Sequence, residues 1–124
     1  MNITGIDVHT YLVQDVARAI AFYRDTMGLN CTWTLEGMGA EFELPDGSAF
    51  GLWKAEGDNP WMAGNGVMFA VPDIHAAVAE LRAKGVHISD PMEHEPCFMA
   101  FASDTEGNRF IVHQRKNVSA HDPY

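Results

Sequence analysis

The chain has 124 residues, the size of one domain, so a second domain of full size is excluded. Apolar residues make up 47% and aromatic residues 10% of the sequence, enough for a hydrophobic core, which argues against a disordered chain or a small disulfide scaffold. Seventeen acids against eight bases give a formal net charge of −9 at pH 7, which disfavours binding to nucleic acid or to anionic membranes.

The start of the chain carries no pattern of a secretion signal. Residues 1–7 lack the positive start and apolar centre of a signal peptide, and no apolar run approaches the roughly 18 residues of a membrane span. We therefore expect a cytoplasmic protein that does not bind membranes. Cys31 and Cys97 form no CxxC pattern, so they could form a disulfide, supply a reactive thiol or be small buried residues, and burial is favoured.

The first half of the chain predicts a strand, a helix and three further strands. The first strand is expected at 6–13. Asp15 is the predicted N-cap of the helix, which ends at Gly28. Its apolar stripe is formed by Val16, Ile20, Tyr23 and Met27. Three strand-like segments follow at 31–35, 40–44 and 49–53.

The second half repeats this order at an offset of about 60 residues. A strand at 67–71 leads to a helix that begins after Asp73 and ends at Gly85. Further strands are predicted at 86–89, 98–103 and 110–114, and loops at 56–66 and 90–96. The sequence thus predicts one α+β domain over 1–116, with βαβββ modules at about 3–58 and 64–115 and a polar tail at 117–124. Phe50, Leu52, Phe110 and Val112 are expected to face the helices.

The repeat resembles a known superfamily in two further places. These are Phe22-Tyr23 followed by Gly28-Leu29, and the later sequence Asp104-Thr105-Glu106-Gly107-Asn108. Together with the repeat they are similar to the vicinal oxygen chelate superfamily, which includes glyoxalase I, extradiol dioxygenases and bleomycin-resistance proteins. The resemblance implies a half-open, cup-like mixed β-sheet with the helices outside, a small-molecule site in the cup, and a homodimer. It does not imply one activity.

Metal-dependent members of that superfamily place ligands at four inward positions. The repeat aligns these positions with Val8, Gly51, Gly66 and Ile111, none of which can bind a metal through its side chain. The comparison implies no metal ligands and no cofactor, and argues against glyoxalase I or dioxygenase chemistry. The alternative is one divalent metal on atypical ligands. His9, next to an expected ligand position, is placed on the helix side or the rim, unless a bulge turns it inward.

Strand alternation places polar and aromatic candidates on the faces away from the helices. Glu41 and Glu43 would bring two carboxylates into the cup, where His113 could form an acid/base pair with one of them. The alternative is that both glutamates are solvated and His113 bonds a neighbouring strand. Trp53 could stack on a flat or cationic ligand, with Gly51 leaving room, or pack in the core. The remaining ligand-binding candidates are Thr10, Met68, Met99 and Phe101.

Two functions follow from these residues, and both have a small molecule as the partner. The first is metal-independent binding of a small, flat or cationic organic molecule, as bleomycin-resistance proteins bind their drug. The second is an enzyme of glyoxalase or dioxygenase type. It would be either a metal-free isomerase or lyase that uses His113 with Glu41 or Glu43, or a metalloenzyme with atypical ligands.

Overall fold

Residues 1–116 are described by a computed structural model, and the predicted tail at 117–124 lies outside the described residues. The chain divides into two compact units, the first ending at Ala63 and the second beginning at Gly64. Each unit contains one sheet and one α-helix within the described residues.

The first unit packs its helix on a four-stranded sheet. Its elements are β1 (His9–Val13), α1 (Val16–Ala21) with a π-helical continuation (Phe22–Thr26), β2 (Asn30–Leu35), β3 (Gly39–Glu43) and β4 (Ala49–Lys54). The strand order is β1-β4-β3-β2; β1 runs parallel to β4, and the other neighbours are antiparallel. This is the predicted βαβββ order.

The second unit repeats the arrangement with a divided edge strand. Its elements are β5 (Val67–Ala70), α2 (Ile74–Ala83), β6 (His87–Ile88), β7 (Met92–Glu93), β8 (Cys97–Ser103) and β9 (Arg109–Arg115). The order is β5-β9-β8-β6, and β7 also pairs with β8. The predicted loop at 90–96 is therefore wrong at β7, which pairs with Met99 and Phe98. The predicted α+β class is confirmed, whereas the closure of the strands into one cup stays a prediction.

Both helices begin at the predicted aspartates. The carboxylate of Asp15 accepts a hydrogen bond from the N–H of Arg18 at 3.1 Å, and Asp73 accepts hydrogen bonds from two N–H groups of its first turn. These bonds satisfy donors that have no partner within the helix. Gly28 and Gly85 follow the helices with positive φ angles, which favour glycine. No helix in the described part of the chain is long and apolar enough to cross a membrane.

The second half of the first helix differs from the prediction of one continuous α-helix. It is π-helical, with a 2.9 Å hydrogen bond from the N–H of Met27 to the carbonyl oxygen of Phe22. A π turn holds more residues than an α turn, so consecutive side chains diverge less around the axis. Phe22 and Tyr23 can therefore both be buried although they are adjacent. The ring of Tyr23 lies 4.8 Å from that of Phe50 on the sheet.

The same aromatic pair recurs in the core of each unit. The ring centroids of Tyr11 and Phe50 are 5.4 Å apart, and those of Phe69 and Phe110 are 5.6 Å apart, both edge to face. The sequence repeat is therefore a repeat of packing. The prediction of which residues face the helices is confirmed, since four of them are at most 1% exposed: Phe50, Leu52, Phe110 and Val112.

Both cysteines are free thiols. Cys97, at the start of β8, is buried, which agrees with the favoured prediction that the cysteines are small buried residues. Cys31, in β2, is partly exposed, and its Sγ lies 3.7 Å from the carbonyl oxygen of Trp33. The disulfide alternative is therefore wrong for this structure.

Candidate functional site

The candidate residues of the first unit share the sheet face opposite α1. Residues that alternate with buried Phe50 project away from the helix. The strand register aligns them in rows, so that Thr10 pairs with Gly51, and Gly51 pairs with Glu41. Paired side chains of neighbouring strands lie side by side. We name this surface the tryptophan face; it consists of Thr10, Leu12, Trp33, Gly39, Glu41, Gly51 and Trp53.

Two indole rings stack on the tryptophan face. The ring centroids of Trp33 and Trp53 are 6.5 Å apart, and their planes differ by only 4°. Gly39 makes this arrangement possible, because a Cβ at that position would lie 2.5 Å from Cε3 of Trp53. The indole of Trp53 therefore lies directly over the backbone of β3. Trp33 is 45% exposed, so the aromatic surface reaches solvent.

A β-bulge brings Trp33 to this face. Cys31 pairs with Phe42, yet Trp33 pairs with Glu41, so β2 gains one residue between the two pairs. Without that extra residue Trp33 would share the helix side with Cys31, since residues two apart project to the same face. Alternation counted from the start of β2 does not place Trp33 on this face. Counting the residue pairs of the β2–β3 hairpin outward from its turn at Gly37 pairs Leu35 with Gly39 and Trp33 with Glu41, and so would have placed it correctly.

The two glutamates have different surroundings. Glu41 is partly buried in the row that contains Gly51 and Trp33. Glu43 lies at the end of β3, is exposed, and lines a separate cavity of about 350 Å³ with Asn30. The first unit therefore places Glu41, but not Glu43, beside the tryptophan pair.

The positions that align with superfamily metal ligands carry no donor groups. In the first unit, Cγ2 of Val8 lies 3.2 Å from the point that a Cβ on Gly51 would occupy, so the two positions are neighbours in space. In the second unit the equivalent residues are Gly66, just before β5, and Ile111 in β9. Residues 1–116 contain no group of three or more His, Cys, Asp or Glu side chains that could hold a metal ion. The residues present do not fit the family's metal.

His9 lies at the exposed start of β1. The register with β4 is continuous from His9 to Val13, with no bulge among these pairs. His9 pairs with Phe50 and shares its side of the strand with buried Tyr11 and Val13. It therefore belongs to the helix side, at the rim.

The candidates of the second unit share the sheet face opposite α2. Met68, Ile111 and Phe101 form one row across three strands. The next row adds Met92, which lies in the predicted loop at 90–96 but joins the sheet through β7. We name this surface the methionine face; it consists of Met68, Ala70, Met92, Met99, Phe101, Ile111 and His113.

His113 is the buried titratable group of the methionine face. It is 7% exposed and lies between Ala70 on β5 and Met99 on β8. Burial lowers the pKa of His113 below its ordinary value, and the positive charge of Arg115 lowers it further. The imidazole is therefore neutral at pH 7 and able to accept a proton. Its proposed pairing with Glu41 or Glu43, both in the other unit, stays a prediction.

Comparison with known proteins finds a matching family model and many similar solved structures. The family model of the Glyoxalase/Bleomycin resistance protein/Dioxygenase superfamily matches residues 5–112. An antibiotic-binding protein from a Streptomyces species is 22% identical, with a TM-score of 0.82 over 94% of this chain and 99% of that one. A lactoylglutathione lyase from Agrobacterium tumefaciens is 20% identical, with a TM-score of 0.74 over 92% and 96%. No curated protein matches. At these identities, the likeness to solved structures shows the fold alone.

Proposed function

Because the chain belongs to the Glyoxalase/Bleomycin resistance protein/Dioxygenase superfamily, we propose that it is a metal-independent member that binds a small, flat, cationic organic molecule. The tryptophan face is the proposed binding surface. The observation that carries the proposal is the stacked pair of Trp33 and Trp53 beside Glu41. Binding without chemistry, as in drug sequestration, is the expected activity.

The chemistry of the tryptophan face suits a flat cation. Indole rings attract cations through their negative faces and stack on planar ligands. Glu41 adds a carboxylate in a partly buried row, where charge is less screened than at the surface. Gly51, in the same row, leaves no room of its own, because Oγ1 of Thr10 and Cγ2 of Val8 lie 3.1 and 3.2 Å from the position of a Cβ there. The predicted space at Gly51 is therefore wrong, and the ligand would contact the exposed ring of Trp33 beside Glu41. The net charge of −9 attracts cationic ligands from a distance.

The named activity of one relative supports binding as the function. The similar protein from Streptomyces is described as antibiotic-binding. The lack of donor groups at Val8 and Gly51, and at Gly66 and Ile111, is consistent with a member that needs no metal.

The direct test is calorimetric titration of the full chain with proflavine, a planar cation, and with acridine, its uncharged counterpart at pH 7.5. Trp53→Ala and Trp33→Ala should each weaken proflavine binding about tenfold or more. Stacking of a planar ring, such as a nucleic-acid base, on one aromatic side chain contributes about 1–3 kcal/mol. The matched control is Trp61→Phe, which alters the third tryptophan, outside the strands. If Trp53→Ala and Trp33→Ala bind proflavine as tightly as the Trp61→Phe control does, the tryptophan face is not the binding surface.

Charge is tested separately from stacking. Glu41→Gln should weaken proflavine but leave acridine unchanged, because only the cation interacts with the carboxylate. Glu43→Gln removes the same charge from the exposed strand end and is the control. If both variants weaken proflavine equally, overall charge rather than Glu41 explains the attraction.

Metal content tests the metal-independent part of the proposal. Untagged protein purified without chelators should contain less than about a tenth of a metal ion per chain by inductively coupled plasma mass spectrometry. Near one metal per chain would contradict the proposal and direct attention to atypical ligands such as His9, His113 and the glutamates.

A second candidate function is catalysis through His113. Its burial and lowered pKa keep the imidazole neutral at pH 7, which is the form that can accept a proton as a general base. Its glutamate partner would be Glu41 or Glu43. The test is an assay of lactoylglutathione formation and breakdown, chosen because one similar structure carries that activity in its name. A rate with a bell-shaped pH dependence that disappears in His113→Ala would favour the enzyme; the absence of any rate above background would count against it.

We further propose that the protein acts as a cytoplasmic homodimer. Small members of the superfamily commonly pair, which is the basis of the proposal. Light scattering at micromolar concentration should give the mass of two chains, and a monomer mass would contradict it.

A further inference from the structure

A row of three polar side chains crosses one end of the second sheet. Ser103 on β8 pairs with His87 on β6 and with Arg109 on β9. Paired residues of neighbouring strands project to the same face, so the hydroxyl, imidazole and guanidinium lie side by side. The three residues line a cavity of about 260 Å³ together with Phe101, Ala102 and Gly107.

We propose that this cavity binds the carboxylate of a small aromatic acid, of about the size of benzoate. The planar guanidinium of Arg109 matches a carboxylate through two parallel N–H···O bonds. The hydroxyl of Ser103 and an N–H of His87 are further donors. Phe101, two residues before Ser103 on the same face of β8, supplies apolar surface for the ring. The three polar residues and their cavity belong to the second unit, and the proposal goes beyond the function proposed above.

The corresponding row of the first unit carries the opposite charge. There the corresponding row is Asn30, Glu43 and Ala49, beside a cavity of about 350 Å³. A carboxylate thus takes the place of the hydroxyl, and a methyl group takes the place of the guanidinium. The two cavities correspond at two lining positions, Asn30 with His87 and Glu43 with Ser103, and the carboxylate of Glu43 would repel an acid from the first cavity.

The turn that leads into β9 is held by the side chain of Asp104. Asp104 is 9% exposed, and its Oδ1 accepts hydrogen bonds from the N–H groups of Glu106 and Asn108 at 2.9 and 3.0 Å. Its Oδ2 accepts a hydrogen bond from the side-chain amide of Asn108 at 3.0 Å. The backbone N–H of Arg109 donates to the carbonyl oxygen of Gly64 at 2.8 Å, which fixes the start of β9. A net charge of −9 disfavours polyanions, so a monoanion with an apolar body is the favoured ligand.

The test is a titration of the full chain with benzoate and with benzyl alcohol, a neutral analogue of similar shape, followed by two-dimensional NMR. Benzoate should shift resonances of Ser103, Arg109 and Phe101 at millimolar concentrations, and benzyl alcohol should bind about tenfold or more weakly, because hydrogen bonds to a charged group are the stronger ones. Arg109→Gln should weaken benzoate about tenfold. Arg115→Gln removes the same charge from the same face of β9, roughly 20 Å away, and should change the affinity less than about twofold.

A second variant copies the first unit. Ser103→Glu should abolish benzoate binding while thermal unfolding confirms a folded chain. The proposal is overturned if benzoate fails to bind at millimolar concentrations, if benzyl alcohol binds equally well, or if both arginine variants lose affinity equally. Inorganic phosphate that binds as tightly as benzoate would also overturn it, because the site would then select charge without an apolar body. Proflavine titration of the same wild-type sample separates the two proposals, because a chain that binds proflavine but not benzoate overturns only this one.

Discussion

The two units keep the same core and differ on the opposite sheet face. Beneath each helix, an aromatic residue of the first strand packs edge to face on a phenylalanine of the last strand, at 5.4 and 5.6 Å. Away from the helix, Trp53 lies over Gly39 in the first unit, whereas His113 pairs with Met99 at the equivalent positions of the second. Close packing restricts the side chains under the helix, and the sheet face away from the helix is free to change. This face is therefore where the two repeats differ in the chemistry of their side chains.

The largest expected effect tests whether the two cores are equivalent. Phe50→Ala and Phe110→Ala should each lower the free energy of unfolding by about 3–5 kcal/mol, the usual cost of removing a fully buried phenylalanine. Phe101→Ala, on the methionine face, should cost clearly less because Phe101 is only partly buried. Urea unfolding measures all three. A cost for Phe101→Ala equal to that of Phe110→Ala would mean that the methionine face is packed as tightly as the core.

A smaller effect is expected where Trp53 crosses β3. In Gly39→Ala the new Cβ would lie 2.5 Å from Cε3 of Trp53 and 2.6 Å from the carbonyl oxygen of Leu52. A backbone atom cannot move aside as a side chain can, so we expect a loss of about 1–3 kcal/mol in urea unfolding, typical of overpacking. Gly5→Ala is the control, because nothing lies within 4 Å of a Cβ there. Equal stability of the two variants would mean that Trp53 does not rest on Gly39.

The elements of the fold were predictable because local signals agree. Asp15 and Asp73 mark the helix starts, and alternation identifies Phe50 and Phe110 as core residues. The alternation also placed the ligand-binding candidates on the faces away from the helices, since the period of a strand is two. Repetition strengthens each of these signals, because a pattern seen twice in one chain is less easily accidental.

The features that escaped prediction all break a regular period. The π-helical turn, with more residues per turn than an α-helix, interrupts the 3.6-residue period at the buried neighbours Phe22 and Tyr23. The bulge in β2 moves Trp33 to the tryptophan face. The short strand β7 exists only through its pairing with β8, and two residues are too few for a local signal. Trp33 and Met92 thus reach the candidate surfaces through non-local pairing.

A pH effect distinguishes the two units at equivalent positions. Trp53 does not titrate, whereas His113 is buried with a lowered pKa. The unfolded chain binds a proton at His113 below about pH 6.5, while the folded chain still holds it neutral. Stability is therefore complete above that pH and falls as the pH decreases toward the folded pKa.

His113→Gln should reduce this acid-side loss of stability, as measured by urea unfolding between pH 7.5 and 5. His94→Gln, which removes an exposed histidine, is the control. The same slope in wild type and in His113→Gln would show that burial of His113 does not contribute to the acid sensitivity.

The smallest expected effect is that of added metal, and it concerns what the two units share. Both lack donor groups at the aligned ligand positions, so adding zinc ions should shift the melting temperature by less than about 1 °C, since only binding to the folded state stabilises it. Val8 and Gly51 are neighbours, with 3.2 Å between Cγ2 of one and the Cβ position of the other. The double variant Val8→His with Gly51→Glu would restore two ligand types that zinc prefers and should raise the melting temperature when zinc is added. A zinc-dependent shift in the wild type as large as in the double variant would mean that the chain binds metal through other residues. The lack of donor groups that the two units share would then not make the protein metal-free.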